Sequence, residues 1–157
     1  MYPLLWLISL STASPLEAGT SVIEWNKKVD FAEMEVEASL LLSQYLQINT
    51  TNPPGNESNG TQFLSDVLAA DGIESKQVSF APNRASLIAK LPGSGKEGAI
   101  CLVSHIDVVS AETEAWEHPP FSGRISDNAI WGRGAIDMKG TGAVQLQIFR
   151  TLHRLKV

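Results

Sequence analysis

Two polar side chains at the end of an apolar run could bind a metal ion. His105 and Asp107 close the run AICLVSHID, and side chains two residues apart lie on the same face of an extended chain. A carboxylate that accepts the second ring N–H of an imidazole fixes its tautomer and directs the other nitrogen toward a metal. The alternative is an ordinary His and Asp at the start of a polar loop, and the spacing alone leaves both interpretations open.

A third polar residue, Asp137, lies in the segment IWGRGAIDMKG. Its position just before a predicted helix favours an N-cap, in which the carboxylate accepts backbone N–H groups. The glycines and the small alanine ahead of it allow the backbone to approach a ligand closely, which favours a binding role instead. A carboxylate has two oxygens and can therefore bridge two cations.

Two helices and a loop are predicted to precede these residues. Apolar residues recur at helical spacing over residues 30–49, which predicts an amphipathic helix packed on a core. The stretch NPPGNESNG at residues 52–60 predicts an irregular loop, and a shorter helix is expected from Phe63 until Gly72. The residues that define the first helix are Phe31, Met34, Ala38, Leu41, Leu42, Tyr45 and Ile48.

Strands are predicted in series at residues 74–80, 84–91 and 99–105. The unbroken apolar character of the third strand is typical of a central strand covered on both faces, with Cys101 as a small buried residue. Residues 92–98 are expected to form a hairpin turn between the last two strands. The sequence therefore predicts an α/β fold, with helices packed on a mixed, partly parallel sheet.

Further elements are predicted near the end of the chain. A second hairpin should turn at Asp127 and Asn128, both of which tolerate positive φ. A final helix is expected over residues 139–155. Its core-facing residues are predicted to be Val144, Ile148, Leu152 and Leu155.

The composition disfavours or excludes several classes of function. The chain has 157 residues, 12 Lys plus Arg against 17 Asp plus Glu, and a formal net charge of −5. This acidic balance does not favour binding to nucleic acid or to a membrane surface. The single cysteine excludes an intramolecular disulfide and a cysteine-based zinc site within this chain.

The N-terminus resembles a targeting segment. The apolar run PLLWLISL is followed by small residues, so residues 1–13 are predicted to be a signal peptide and residues 14–29 an N-terminal extension. The protein is then expected to be secreted or periplasmic. It would be cytoplasmic if the apolar run is not a signal, and the run is too short for a transmembrane anchor.

The stretches SHIDVV and WEHPPFSGRISDNAIWGRGAIDMKG, together with the loop INTTNPPGNE, resemble one family of zinc metallopeptidases. This family includes aminoacylase, acetylornithine deacetylase, succinyl-diaminopimelate desuccinylase and glutamate carboxypeptidase. The resemblance covers roughly residues 30–155.

The resemblance implies a role for each candidate residue. His105 matches the ligand of one zinc, Asp107 the catalytic carboxylate that orients it, and Asp137 the aspartate that bridges two zinc ions. It also implies a cis peptide bond between Asp137 and Met138. Such enzymes hold two Zn²⁺ ions, for which Co²⁺ or Mn²⁺ can substitute, and hydrolyse amide bonds of peptides or N-acyl amino acids with a free carboxylate.

The sequence departs from the family downstream of Asp137. Family members take a general base and further ligands from glutamates in that direction, but residues 138–157 contain no Asp or Glu. We therefore expect residues 30–157 to be the N-terminal portion of a catalytic domain, without its C-terminal half and lid domain. We expect this piece to be inactive alone. A homodimer is expected only for the full-length protein.

Weaker ligand candidates and another class of function stay open. His118 and His153 could act as ligands, but packing or surface roles fit them better. Glu112, Glu114 and Glu117 are interpreted as a solvated charge cluster.

The alternative function is a non-catalytic secreted binding module, or a degenerate remnant of such an enzyme.

Overall fold

One mixed sheet forms the centre of the fold. The computed structural model describes the backbone of residues 3–9 and both backbone and side chains of residues 28–93 and 98–156. Within these ranges the sheet has the strand order β2-β3-β1-β4. The strands are β1 (Pro3–Ser9), β2 (Ser75–Ala81), β3 (Arg84–Leu91) and β4 (Ala99–His105). Because β1 runs parallel to β3 and antiparallel to β4, the predicted α/β fold with a mixed, partly parallel sheet is confirmed.

Strand β1 comes from the predicted signal peptide. Its backbone pairs on both sides, with Leu5 beside Ile88 of β3 and beside Val103 of β4. The structure thus assigns residues 3–9 an inner position in the sheet, while their role as a signal stays a prediction. Residues 10–27, which include the rest of that signal and most of the extension, lie outside the described residues.

The predicted hairpin between β3 and β4 is wrong. The two strands are not neighbours, because β1 lies between them. The prediction that β4 is a buried central strand is wrong as well, since β4 is the outer strand of the sheet in the described residues. Cys101 and Val103 are exposed because nothing in the described ranges covers that face of β4.

Three α-helices are described beside the sheet. They are α1 (Phe31–Leu46), α2 (Glu57–Ala70) and α3 (Gly140–Arg154). The Asp30 carboxylate accepts hydrogen bonds from the backbone N–H groups of Ala32 and Glu33 and so caps α1. Helix α2 begins at Glu57, inside the predicted loop. Packing against β2 and β3 stabilises the helical conformation there, despite the turn-forming residues in this stretch.

The core lies between the helices and one face of the sheet. The predicted inward face of α3 is wrong in part, because Val144 and Ile148 are exposed and Ala143, Leu146 and Phe149 are buried instead. The periodicity was correct, and contacts with α1 and with the sheet decided which side of the helix turned inward. The core cluster comprises Leu41, Tyr45, Leu64, Leu68, Ile73, Leu87, Ala89, Ile106, Ala143, Leu146 and Phe149.

A small hairpin precedes the last helix. Strands β5 (Arg124–Ser126) and β6 (Ala129–Trp131) pair antiparallel. Asp127 and Asn128 form the turn with φ values of 53° and 58°, which confirms the predicted turn. Among the described residues, no helix combines the length and the apolar character needed to cross a membrane.

Candidate metal centre

His105, Asp107 and Asp137 meet at the end of β4. The Nε2 atom of His105 lies 2.9 Å from Oδ1 of Asp137. On the other side of the ring, Nδ1 lies 2.9 Å from the Asp107 carbonyl oxygen and 3.3 Å from its carboxylate. The structure therefore brings together all three residues that the sequence analysis selected, although Asp137 is 32 positions from His105.

Asp137 does not cap the following helix. The N-cap position of α3 is Lys139, and Asp137 has an extended backbone with φ −120° and ψ 95°. Its side chain is 87% exposed and turns toward His105. The Asp137–Met138 peptide bond is cis, as the resemblance implies. The cap interpretation of Asp137 is therefore wrong, because the backbone leaves the helical conformation at this residue.

Asn52 holds Asp107 in place. Its Nδ2 donates a 3.2 Å hydrogen bond to Oδ2 of Asp107. The backbones of the two loops are also joined, because Asn52 N–H donates to the Val108 carbonyl and Val108 N–H donates to the Thr50 carbonyl. The sequence analysis missed Asn52 as a site residue, and the only signal for it was the loop INTTNPPGNE that carries part of the resemblance.

Lys139 is a second residue that the sequence analysis missed. Its side chain is fully buried, and Nζ donates hydrogen bonds to the carbonyl oxygens of Ile48 at 2.6 Å and Tyr45 at 3.2 Å. Burial lowers the pKa of Lys139 to about 7. The neighbouring Tyr45 is also buried. Burial raises the pKa of its hydroxyl, and the negative charge of Asp107 raises it further. Lysine is seldom found in a core, so its residue type carried no signal for this role.

A cleft of about 500 Å³ opens over His105 and Asp137. Its walls combine charged residues with aromatic and aliphatic side chains, including Trp116, Trp131 and Arg133. This mixture of a few polar groups and a larger apolar surface is typical of small-molecule sites. The cleft therefore has room for a ligand beside the three candidate residues.

Comparison with known proteins places this site in a family. A protein-family model, described as Peptidase family M20/M25/M40, matches residues 101–157, which contain His105, Asp107 and Asp137. The chain is 35% identical to Aminoacylase-1 of Sus scrofa over 119 residues, which is 74% of this chain and 28% of that protein. This chain belongs to peptidase family M20. The resemblance found in the sequence is thereby confirmed.

Other members of the M20 family show the same partial coverage. The chain is 36% identical to a succinyl-diaminopimelate desuccinylase of Methylorubrum extorquens over 118 residues, 72% of this chain and 30% of that protein. It is 32% identical to an N-formyl-4-amino-5-aminomethyl-2-methylpyrimidine deformylase of Halalkalibacterium halodurans over 112 residues, 69% of this chain and 26% of that protein. The chain thus spans less than a third of the length of these relatives.

The weaker ligand candidates lie elsewhere or are already engaged. The Nε2 atom of His118 lies 3.1 Å from the Ser126 hydroxyl, and its ring packs edge-on against Trp131. His153 lies on α3 and does not line the cleft. Glu112, Glu114 and Glu117 are exposed, which agrees with a solvated charge cluster.

The residues present fit part of a metal site. The His105 imidazole nitrogen and the Asp137 carboxylate oxygens are donor types that zinc prefers, and a carboxylate orients the imidazole from behind. Within the described ranges, however, no group of three or more His, Cys, Asp or Glu residues could enclose a metal ion. A catalytic zinc normally has three protein ligands, so the described part of the chain provides a pair of donors and not a full set.

Proposed function

We propose that this chain carries part of the active site of a metal-dependent hydrolase that cleaves amide bonds in N-acyl amino acids or peptides. The observation that carries the proposal is the 2.9 Å approach of His105 Nε2 to Asp137, with Asp107 behind the ring. The names of the relatives, an aminoacylase, a desuccinylase and a deformylase, support removal of an acyl group from nitrogen.

The metal that we propose is zinc, with Co²⁺ or Mn²⁺ as substitutes, and the complete site would contain two ions. His105 and Asp137 would hold the metal, and Asp107 would position His105 by fixing its ring through Nδ1. When bound, zinc lowers the pKa of a water molecule and polarises the amide carbonyl. The highly exposed Asp137 carboxylate is open to two ions at once.

We further propose that these 157 residues bind metal weakly and do not turn over substrate by themselves. Two ligands hold an ion less firmly than three or four. Proton transfer from water needs a general base, and residues 138–157 contain no Asp or Glu that could follow Asp137 in that role. Residues outside this chain would have to provide the base and the missing ligands.

The test is a titration of the chain with Co²⁺, followed by visible absorption spectroscopy. We expect weak binding that is lost in His105→Ala and in Asp137→Ala. His153→Ala is the matched control, because His153 lies outside the cleft, and it should bind Co²⁺ like the unchanged chain. Equal binding by all four proteins would contradict the proposed metal centre.

A second measurement separates the enzyme from a non-catalytic product. Hydrolysis of N-acetyl amino acids and dipeptides is followed with excess Zn²⁺. We expect these 157 residues not to hydrolyse the substrates. Turnover that depends on His105 would contradict this expectation, because it would show that the general base is present. The same assay is applied to a longer protein that includes the family's downstream glutamates. If that protein binds N-acetyl amino acids but releases no product, the alternative of a binding module gains support.

A further inference from the structure

A short segment after helix α1 runs beside the loop that follows β4. Thr51 forms a parallel β-bridge with Val108, and Val108 N–H donates a hydrogen bond to the Thr50 carbonyl oxygen. The Thr50 hydroxyl donates a 2.7 Å hydrogen bond to the Ile106 carbonyl oxygen, and Thr50 is fully buried. These bonds fix the two backbones relative to each other. The side chain that follows Thr51 is therefore placed at a defined position beside the candidate metal centre.

That side chain is Asn52, which binds one of the two oxygens of the Asp107 carboxylate. Its Nδ2 donates a 3.2 Å hydrogen bond to Oδ2, while Oδ1 lies 3.3 Å from Nδ1 of His105. Rotation of a carboxylate about its terminal bond is soft, so a carboxylate with a single partner can turn away from it. The second partner limits this rotation. Asn52 therefore keeps Oδ1 of Asp107 directed at the imidazole.

The orientation of this carboxylate matters because the His105 ring has a competing acceptor. The backbone carbonyl oxygen of Asp107 lies 2.9 Å from Nδ1, closer than Oδ1 at 3.3 Å. If the carboxylate turned away, the neutral carbonyl could still accept a hydrogen bond from Nδ1–H and preserve the tautomer. An anionic acceptor forms the stronger hydrogen bond, and it raises the basicity of the opposite nitrogen, Nε2, more than a neutral one does. The two acceptors would therefore give different metal affinities.

We infer that Asn52 is a positioning residue of the metal centre, which holds Oδ1 of Asp107 against His105 and thereby strengthens the bond from Nε2 to the metal. This assignment rests on the proposed function and adds to it a residue from the loop before α2. Asn52 acts through Asp107 and is not itself a metal ligand. In the competing interpretation, Asn52 only joins two loops and has no effect on the imidazole.

The first experiment is a double-mutant cycle on Co²⁺ affinity, measured by visible absorption. Asn52→Ala should weaken binding by about threefold to tenfold, the size expected for one hydrogen bond. Asn52→Leu, which keeps the volume and removes the donor, should have the same effect. In an Asp107→Ala background, Asn52→Ala should cause no further loss, because the carboxylate through which Asn52 acts is gone. An equal loss in both backgrounds would overturn the inference.

The second readout needs no metal. In EDTA, the Nδ1–H proton resonance of His105 is assigned by its absence from His105→Ala. It should move upfield in Asn52→Ala and Asn52→Leu, toward its position in Asp107→Ala, because the hydrogen bond to the anionic acceptor is weakened.

Asn56→Ala is the matched control for both readouts. Asn56 lies in the same loop as Asn52, its Nδ2 donates to the Asn49 carbonyl oxygen, and it does not line the cleft. Its removal should leave the resonance and the Co²⁺ affinity unchanged. An unmoved resonance in both Asn52 variants, or equal effects of Asn52→Ala and Asn56→Ala, would show that Asn52 only joins the loops.

Failure of this inference differs from failure of the proposed metal centre. Co²⁺ binding that depends on His105 and Asp137 but not on Asn52 would refute only the positioning role. A resonance that moves in Asn52→Ala, combined with Co²⁺ binding that is insensitive to His105 and Asp137, would refute the metal centre. The hydrogen bonds from Asn52 to the imidazole would then have no consequence for a metal ion, and the inference would fall with the proposed function.

Discussion

The Nζ atom of Lys139 donates a 2.6 Å hydrogen bond to the carbonyl oxygen of Ile48 and thereby ties the segment after Asp137 to the chain at the end of helix α1. The same group donates to the Tyr45 carbonyl and lies 4.7 Å from the centroid of the Tyr45 ring. The Tyr45 carbonyl belongs to the last turn of α1, and Ile48 lies two residues beyond the end of that helix. Lys139 therefore completes α1 and holds the loop that presents Asp137.

Replacing Lys139 with Met should lower the free energy of unfolding by about 1–3 kcal/mol. The variant keeps the apolar stem but leaves the Ile48 and Tyr45 carbonyls without this donor in the interior. Chemical denaturation at neutral pH measures the change. Lys76→Met, at an exposed position of β2, should change the stability little. Equal effects of both substitutions would show that Lys139 contributes no specific tether.

Asp107→Asn should weaken Co²⁺ binding by about tenfold to a hundredfold. The carboxylate lies behind Nδ1 of His105, and an amide there could present its NH₂ group to the ring and allow the wrong tautomer. The titration proposed for the metal centre measures this effect. Asp127→Asn, in the β5–β6 turn, is the control and should bind Co²⁺ like the unchanged chain. Undiminished binding by Asp107→Asn would contradict a positioning role.

Gly60→Ala should destabilise the fold by about 1–3 kcal/mol, because the added methyl group is overpacked. A Cβ atom at Gly60 would lie only 2.7 Å from Cγ2 of Ile106, the residue that follows His105. Gly98→Ala is the matched control, because a Cβ atom there meets nothing within 4 Å. Thermal unfolding compares the two variants. A Gly60→Ala protein as stable as Gly98→Ala would mean that α2 can move away at little cost.

Acid should weaken a network of two arginines and two carboxylates that joins α1, α2 and α3. The hydrogen bond from Arg154 lowers the pKa of Glu37. Burial raises the pKa of Asp71, but the hydrogen bonds from Arg150 and Arg154 outweigh it and the pKa is lowered overall. Because these carboxylates bind protons less readily when folded, their contribution is complete above their usual pKa and is lost as the pH falls from there through their lower pKa in the folded state.

The measurement for this network is the free energy of unfolding in urea between pH 7 and pH 3. Arg154→Met should reduce stability by about 1 kcal/mol at neutral pH, since the group is partly exposed and screened by solvent. It should also make the loss of stability below pH 4.5 less steep than in the unchanged chain. Arg124→Met should leave the pH dependence unchanged. Parallel curves for Arg154→Met and the unchanged chain would refute the network's role.

Leu7→Pro tests the inner position of β1. Leu7 pairs with Lys90 of β3 on one side and with Cys101 of β4 on the other, and proline cannot donate to either ladder. We expect loss of cooperative unfolding and rapid hydrogen exchange of the β4 amides. Leu7→Val keeps the backbone N–H and should retain protection. Slow exchange in Leu7→Pro would show that β3 and β4 do not need β1.

The same strand makes the signal-peptide prediction testable. A chain that starts at residue 14 lacks β1, so the edges of β3 and β4 that face it would be unpaired. Unpaired strand edges promote association, and we expect this shorter chain to aggregate. Size-exclusion chromatography measures the difference from the full chain. A monomeric, folded chain without residues 1–13 would agree with removal of a leader.

The sequence by itself determined the local features of this protein. Helical periodicity located α1 and α3, alternating and apolar runs located β2, β3 and β4, and the Asp-Asn pair located the β5–β6 turn. These features depend on neighbouring residues, so they can be read from a short window. The family resemblance also selected His105, Asp107 and Asp137, because its motifs lie in short continuous stretches.

Only the tertiary structure decided which distant parts meet. The apolar run of β4 did not reveal that β1 separates it from β3, and the periodicity of α3 did not reveal which of its faces is buried. Asn52 and Lys139 act through partners that are 55 and 91 positions away. Such contacts depend on the packing of whole elements, and no local pattern records them.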